Sequence, residues 1–96
     1  MEEQAKKIAE LLKLLANEHR LLILCALTKG AMTVGEIHVY TPNITLSALS
    51  QHLSQLKMAG ILESEKQGMN VLYRLEDKRV AALLESIKEH YCSQEV

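Results

Sequence analysis

Two thiols and four imidazoles are the residues of this chain whose chemistry reaches beyond packing and solubility. Cys25 lies inside the apolar run LLILCAL, and Cys92 follows His90 and Tyr91. As residues alone, the first reads as a small buried hydrophobe and the second as an incidental surface thiol. Each nevertheless has a lysine one helical turn away, Lys29 after Cys25 and Lys88 before Cys92. A nearby ammonium favours the thiolate, the reactive form of the group. Burial of Cys25 and the negative end of a helix near Cys92 oppose it. Reactive and inert roles both stay open at this point. His19 and His38 stand isolated on helical segments, where structural or solvent-facing roles are commoner than ligation. No nucleophile–base pair, phosphate loop or paired carboxylates occur at diagnostic spacing, so neither an enzyme nor a cofactor is expected.

A second kind of chemistry is written into residues 45 to 59, TLSALSQHLSQLKMA. Leu46, Leu49, Leu53 and Leu56 recur at spacings of three and four, which predicts one buried helical stripe. The opposite face carries Ser47, Ser50, Gln51, Ser54 and Gln55, with no charge before Lys57. Serine favours helix less than Glu or Lys and competes for backbone hydrogen bonds. Short neutral donors and acceptors suit a helix laid against a surface rich in hydrogen-bonding edges; a plain polar surface helix is the other reading of this stretch.

The elements that would position these groups follow from periodicity and capping signals. Ile8, Leu11, Leu12 and Leu15 form a stripe in a first helix over 3–16. Asn17 can cap a second over 18–28, apolar on every side and hence expected at the centre of the domain, with Gly30 ending it. Thr33 and Glu36 form a T-x-x-E capping box for a short third helix that stops before Pro42. Thr45 caps the serine-faced helix and Gly60 closes it. ILESEK and VLYRLE flank the turn QGMN as a hairpin. A last helix over 77–92 places Val80, Leu83, Leu84, Ile87 and Tyr91 on one face. The fold class is therefore mainly α with a small β-hairpin, one domain over 1–96. Two helices joined by a tight connection, then a hairpin, make a winged helix-turn-helix, whose second motif helix enters the major groove of DNA.

Composition narrows the partners. The 96 residues are 48% hydrophobic, enough for a core, though a domain this small gains from dimerisation. With no Trp or Phe and only three Tyr, it lacks the stacking platform of single-strand binders. No signal peptide or membrane-length apolar run is present, so a cytoplasmic protein with reduced thiols and no membrane contact is expected. A formal net charge of −1 supplies no global basic footprint for nucleic acid.

LLANEHRLLILCAL, TVGEI, LSALSQHLSQLKMAGIL and VLYRL together resemble the ArsR/SmtB family of dimeric winged-helix repressors, over about Leu12 to Cys92. The resemblance implies a homodimer through the first and last helices that binds a palindromic operator in double-stranded DNA. Carried over, Ser47, Ser50, Gln51, His52 and Ser54, with Lys57, become base and phosphate contacts, and the wing from Lys66 to Arg74 touches the backbone. His52 equally suits a structural hydrogen bond at the inner edge of the helix. The chain departs from the family pattern at Glu63 and Glu65, where basic residues are frequent, leaving only +1 over residues 45–74. Leu46 occupies a position often polar, and VYTPNI is about one residue longer than usual.

The resemblance also says where an effector is sensed. One familiar metal site of the family is a C-x-C pair on the third helix; Thr33 and Gly35 stand there instead, and neither binds a soft metal. Another uses D-x-H and H-x-x-E (or H-x-x-H) on the last helix; here Asp77 is followed by Lys78 and Arg79, and Ser93 stands three residues after His90. No metal site built from these ligands is expected. The pair LLILC and HYC instead resembles the branch that senses persulfide and other reactive sulfur species, in which a thiol on the second helix is joined to one on the last. Cys25 and Cys92 are then the sulfur-sensing residues, with a small reactive sulfur species as inducer. A metal-responsive repressor with a non-standard site and a winged-helix module that binds protein remain the alternatives.

Overall fold

Asn17 starts the central helix of the molecule: its side chain accepts hydrogen bonds from the backbone N–H of His19 at 2.9 Å and of Arg20 at 3.2 Å. In the computed structural model, which describes residues 1–92, this helix is α2 (Glu18–Leu27), preceded by α1 (Glu2–Leu15). A two-residue strand β1 (Met32–Thr33) leads directly into α3 (Val34–Tyr40). There the capping box closes in both directions, Thr33 Oγ1 accepting from the Glu36 N–H at 3.2 Å and Glu36 Oε1 from the Thr33 N–H at 2.8 Å. Next come α4 (Leu46–Met58), capped by Thr45, then β2 (Leu62–Gln67), β3 (Asn70–Leu75) and α5 (Lys78–Ile87), capped by Asp77. The order is that of a winged helix-turn-helix.

Ile23, Leu24, Leu27, Ile37, Leu49, Leu53, Leu56, Val80 and Leu84 meet in one core, roofed by Ile61 and Leu62 at the root of the wing. Each such side chain contributes on the order of 1.5–3 kcal/mol on burial. The turn between α3 and α4 is braced from within, His38 Nε2 donating to the Ile44 carbonyl at 2.8 Å. At the far end of α4, Gly60 adopts a φ of +82°, with its N–H on the Lys57 carbonyl at 2.9 Å and the Ile61 N–H on that of Leu56 at 3.0 Å. That paired closure is a Schellman motif, and only a residue without a Cβ takes the left-handed step easily. It turns the chain straight from α4 into β2.

Four features depart from the sequence reading. Leu46 is 54% exposed, so the buried stripe of α4 begins at Leu49; the core ends before it reaches the first turn. The second helix is buried on one side only, leaving Leu21 and Leu22 exposed. The hairpin is the greater part of a three-stranded antiparallel sheet of order β1-β3-β2, because Met32 pairs with Tyr73 and Thr33 with Leu72. Two residues are too few to show a period of two, and their partners lie some forty residues on. The last helix is α-helical only to Ile87, after which Lys88–Cys92 wind as a π-helical turn.

Candidate functional site

The polar face of α4 stands free of the body, with Ser47, Ser50, Gln51 and Ser54 all exposed and Leu49, Leu53 and Leu56 holding the helix down from behind. Lys57, at the end of the helix, reaches across to β2, where its ammonium donates to Ser64 Oγ at 2.6 Å. The serine-faced helix and the wing therefore form one surface. Along the wing, β2 and β3 pair from Leu62 with Leu75 to Gln67 with Asn70. Lys66 is exposed near its tip, while Arg74 is drawn into a 3.3 Å ion pair with Glu76 and lies opposite Glu63 in the ladder. His52 is not on the open face. Half-buried, it accepts at Nδ1 a 3.0 Å hydrogen bond from Arg20 Nε. Burial depresses its pKa below the ordinary imidazole value, with the Arg20 and His19 charges acting in the same direction.

Cys25 and Cys92 are brought together. Cys25, half-buried on α2, and Cys92, exposed on the π-turn, are both free thiols that line one cleft of about 270 Å³ with Leu22, Lys29, Tyr40 and Lys88. A second, apolar cleft of about 380 Å³ borders both thiols from the side of Leu21, Leu84 and Ile87. The lysines are arranged differently from the sequence expectation. Lys29 leans over the Tyr40 ring, 5.0 Å from its centre, with Nζ 3.4 Å from the phenol oxygen. The ammonium that opposes the rise in Cys25 pKa comes from Lys88 on the other helix. Burial still dominates and pushes the Cys25 thiol up, with Cys92 and Glu85 adding to the rise. Cys25 is thus a shielded thiol, and Cys92 the accessible one.

Residues 9–64 match the model of the family described as bacterial regulatory protein, arsR family. The chain belongs to that family. It is 39% identical over 92 residues to the transcriptional activator HlyU of Vibrio cholerae, a match spanning 96% of this chain and 84% of that protein. Among solved structures, reduced HlyU from Vibrio cholerae superposes with a TM-score of 0.89 at 39% identity, covering 97% of each chain. The transcriptional repressor BigR from Xylella fastidiosa does so with a TM-score of 0.87 at 33% identity, covering 97% of this chain and 94% of that one. This arsR-family protein is accordingly a DNA-binding transcription regulator with a winged-helix fold, and its relatives are regulators rather than enzymes.

In this regulator the residues at the family's metal positions have other tasks. Thr33 caps α3. Asp77 caps α5 and receives both Nε and Nη2 of Arg79, at 3.3 and 3.1 Å, which holds its carboxyl below the usual range. His90 Nδ1 lies 2.8 Å from the Ser86 carbonyl; Ser93 is outside the described residues. Among the described residues, no three His, Cys, Asp or Glu side chains gather as a metal cluster, and no helix is long and apolar enough to cross a membrane. One residue the sequence reading passed over is Arg20, whose guanidinium donates to Leu14, His52 and Gln55. The available signal was a guanidinium in the first turn of a helix that is apolar from Leu21 onward.

Proposed function

We propose that this regulator is a homodimeric repressor that binds a palindromic operator and releases it when reactive sulfur species join Cys25 to Cys92. The observation that carries the reading is the shared cleft of the two thiols, one on the central helix and one on the π-turn that follows α5. The name of the Vibrio cholerae relative specifies a redox state of that protein, in keeping with thiol chemistry on this scaffold.

The chemistry follows from exposure. A persulfide donor RS–SH meets Cys92 first; the Cys92 thiolate attacks the terminal sulfur, forming Cys92–S–SH and releasing the thiolate RS⁻. The Cys25 thiolate then attacks Cys92 Sγ, closing a disulfide and expelling HS⁻. If a second sulfur has been added to Cys92, attack one atom further out closes a trisulfide with the same leaving group. The donor supplies the oxidising equivalents in both cases.

Exposed apolar residues support the dimer: Ile8 and Leu12 on α1, Leu21 and Leu22 on α2, and Tyr91 beyond α5 lie on the outer surface of one chain. Pairing two copies about a two-fold axis covers such residues and sets two reading helices about 34 Å apart, in successive major grooves. A bridge between α2 and the final turn favours another spacing, which is how a covalent link becomes a population shift.

The test begins with a duplex selected by the reduced protein from a random-sequence pool. Glutathione persulfide should release it and leave an intact mass two hydrogens lower, with or without added sulfur, mapped to Cys25 and Cys92. Cys25→Ser and Cys92→Ser should bind but not respond. Release by zinc together with indifference to persulfide would overturn the sensing assignment.

A further inference from the structure

Arg20 sits in the first turn of α2, its backbone held by the Asn17 cap. From that fixed base one guanidinium serves three acceptors on two other helices. Nη1 donates to the Leu14 carbonyl at 3.0 Å; Nε donates to His52 Nδ1 at 3.0 Å; Nη2 donates to Gln55 Oε1. The Leu14 carbonyl belongs to the last turn of α1, where carbonyls have no partner within the helix. His52 and Gln55 are three residues apart on α4, one turn of the same edge, beside the exposed Ser50, Gln51 and Ser54. A planar fork with donors at fixed angles holds such a set in one arrangement; an ammonium on a flexible stem does not.

We propose that Arg20 is a positioning residue for DNA reading, fixing the pose of α4 against α1 through His52 and Gln55. The inference rests on α4 being the reading helix and on α1 lying at the dimer axis. Under that arrangement Arg20 sets each reading helix relative to the two-fold axis, so its loss blurs the register of both half-sites. Little else depends on it, because Arg20, His52 and Gln55 lie outside the buried core and water can replace the bonds.

The assignment gives His52 a role opposite to phosphate contact. Nδ1 accepts from Arg20, so Nε2 carries the proton of the neutral ring. The titratable and charged groups that face it are Arg20 and His19, both on α2, the His19 ring centre lying 6.2 Å away. Protonating His52 removes the acceptor and sets a second cation against the guanidinium. Acid should therefore open the clamp and weaken discrimination, whereas an imidazolium on a phosphate would tighten binding to any duplex.

The experiment compares the selected duplex with a scrambled one by fluorescence anisotropy at constant salt, with folding verified by circular dichroism. Arg20→Lys should lower discrimination about tenfold, the scale of one good base contact, and change scrambled-duplex affinity by no more than about twofold. Between pH 7.5 and pH 5.5, wild-type discrimination should fall as the ring, held below the ordinary imidazole value by burial and by the Arg20 charge, takes up its proton. His52→Asn, which keeps an acceptor near the Nδ1 position without a titrating ring, should lose that fall. A folded Arg20→Lys protein with wild-type discrimination overturns the proposal. If Arg20→Lys fails to fold, the pH comparison decides: acid-tightened binding in wild type, or an unchanged fall in His52→Asn, overturns it. Failure of the wild type to select any duplex removes the reading role of α4 itself, and the proposal with it.

Discussion

Lys88 Nζ donates to Thr28 Oγ1 at 3.0 Å, tying the start of the π-turn to the end of α2. The same hydroxyl donates to the Cys25 carbonyl at 2.6 Å. The lysine that tempers Cys25 is thereby anchored on Cys25's own helix even though it arrives from another.

Removing that charge should make Cys25 less reactive. In Lys88→Met, the pH midpoint for iodoacetamide alkylation of Cys25, followed by mass spectrometry, should move above the wild-type midpoint, itself above the ordinary thiol value of about 8.5. Cys92, being exposed, should label first in both proteins. The linkage has a fixed sign. A thiol whose folded pKa is raised contributes stability while protonated, and that contribution is lost as pH rises through the folded value. Cys25→Ser should lack this alkaline loss; an identical alkaline loss in Cys25→Ser would assign it to another group.

On α4, the face and the stripe should separate cleanly under mutation. Replacing Ser50 and Gln51 by Ala should reduce discrimination between the selected and a scrambled duplex by on the order of 1–3 kcal/mol for each base-edge hydrogen bond removed, with a smaller change in scrambled-duplex affinity. Undiminished discrimination in a binding titration at constant salt would take both residues off the base edges.

Stability should follow burial rather than sequence periodicity. Leu49→Ala should cost about 2–5 kcal/mol in urea denaturation, since it opens a cavity in a closed core. Leu46→Ala, one turn earlier on the same stripe, should stay within about 0.5 kcal/mol. Equal costs at the two positions would mean that Leu46 is covered in solution.

The outer faces of α1 and α2, together with Tyr91 beyond α5, should hold two chains together. Sedimentation velocity at micromolar concentration should show a dimer, and Leu12→Glu, which sets a carboxylate on the exposed stripe, should shift it to a folded monomer. A wild-type monomer would place the apolar surface in some other use.

Capping and turn chemistry made most of the architecture legible, because those signals are local: Asn17, the Thr33 and Glu36 box, Thr45 and Gly60 each mark a boundary that their own neighbours enforce. What periodicity could not supply was the extent of the core, which stops between Leu46 and Leu49. Nor could it supply β1, whose only reason to be a strand is Tyr73 and Leu72 on β3. The two thiols were visible as residues, yet their common cleft depends on how α5 returns over α2. Arg20 escaped notice for a related reason: its three acceptors lie 6, 32 and 35 positions away, and no pattern along the chain links them.

Thr33 has a bearing on the history open to this chain. The same residue ends β1, paired with Leu72, and caps α3, at a position the family resemblance matches to a metal-binding thiol. The neighbouring position of that pair is permissive: a Cβ added to Gly35 would meet only Thr33 Oγ1, at 3.9 Å. Thr33 is not permissive, since exchanging its hydroxyl for a thiol gives up a cap worth about 0.5–2 kcal/mol. The loss falls at the start of the first helix of the reading motif. A lineage acquiring soft-metal sensing at this spot would therefore cross a less stable DNA-binding intermediate before it held both thiolates, and the easier first step is at Gly35.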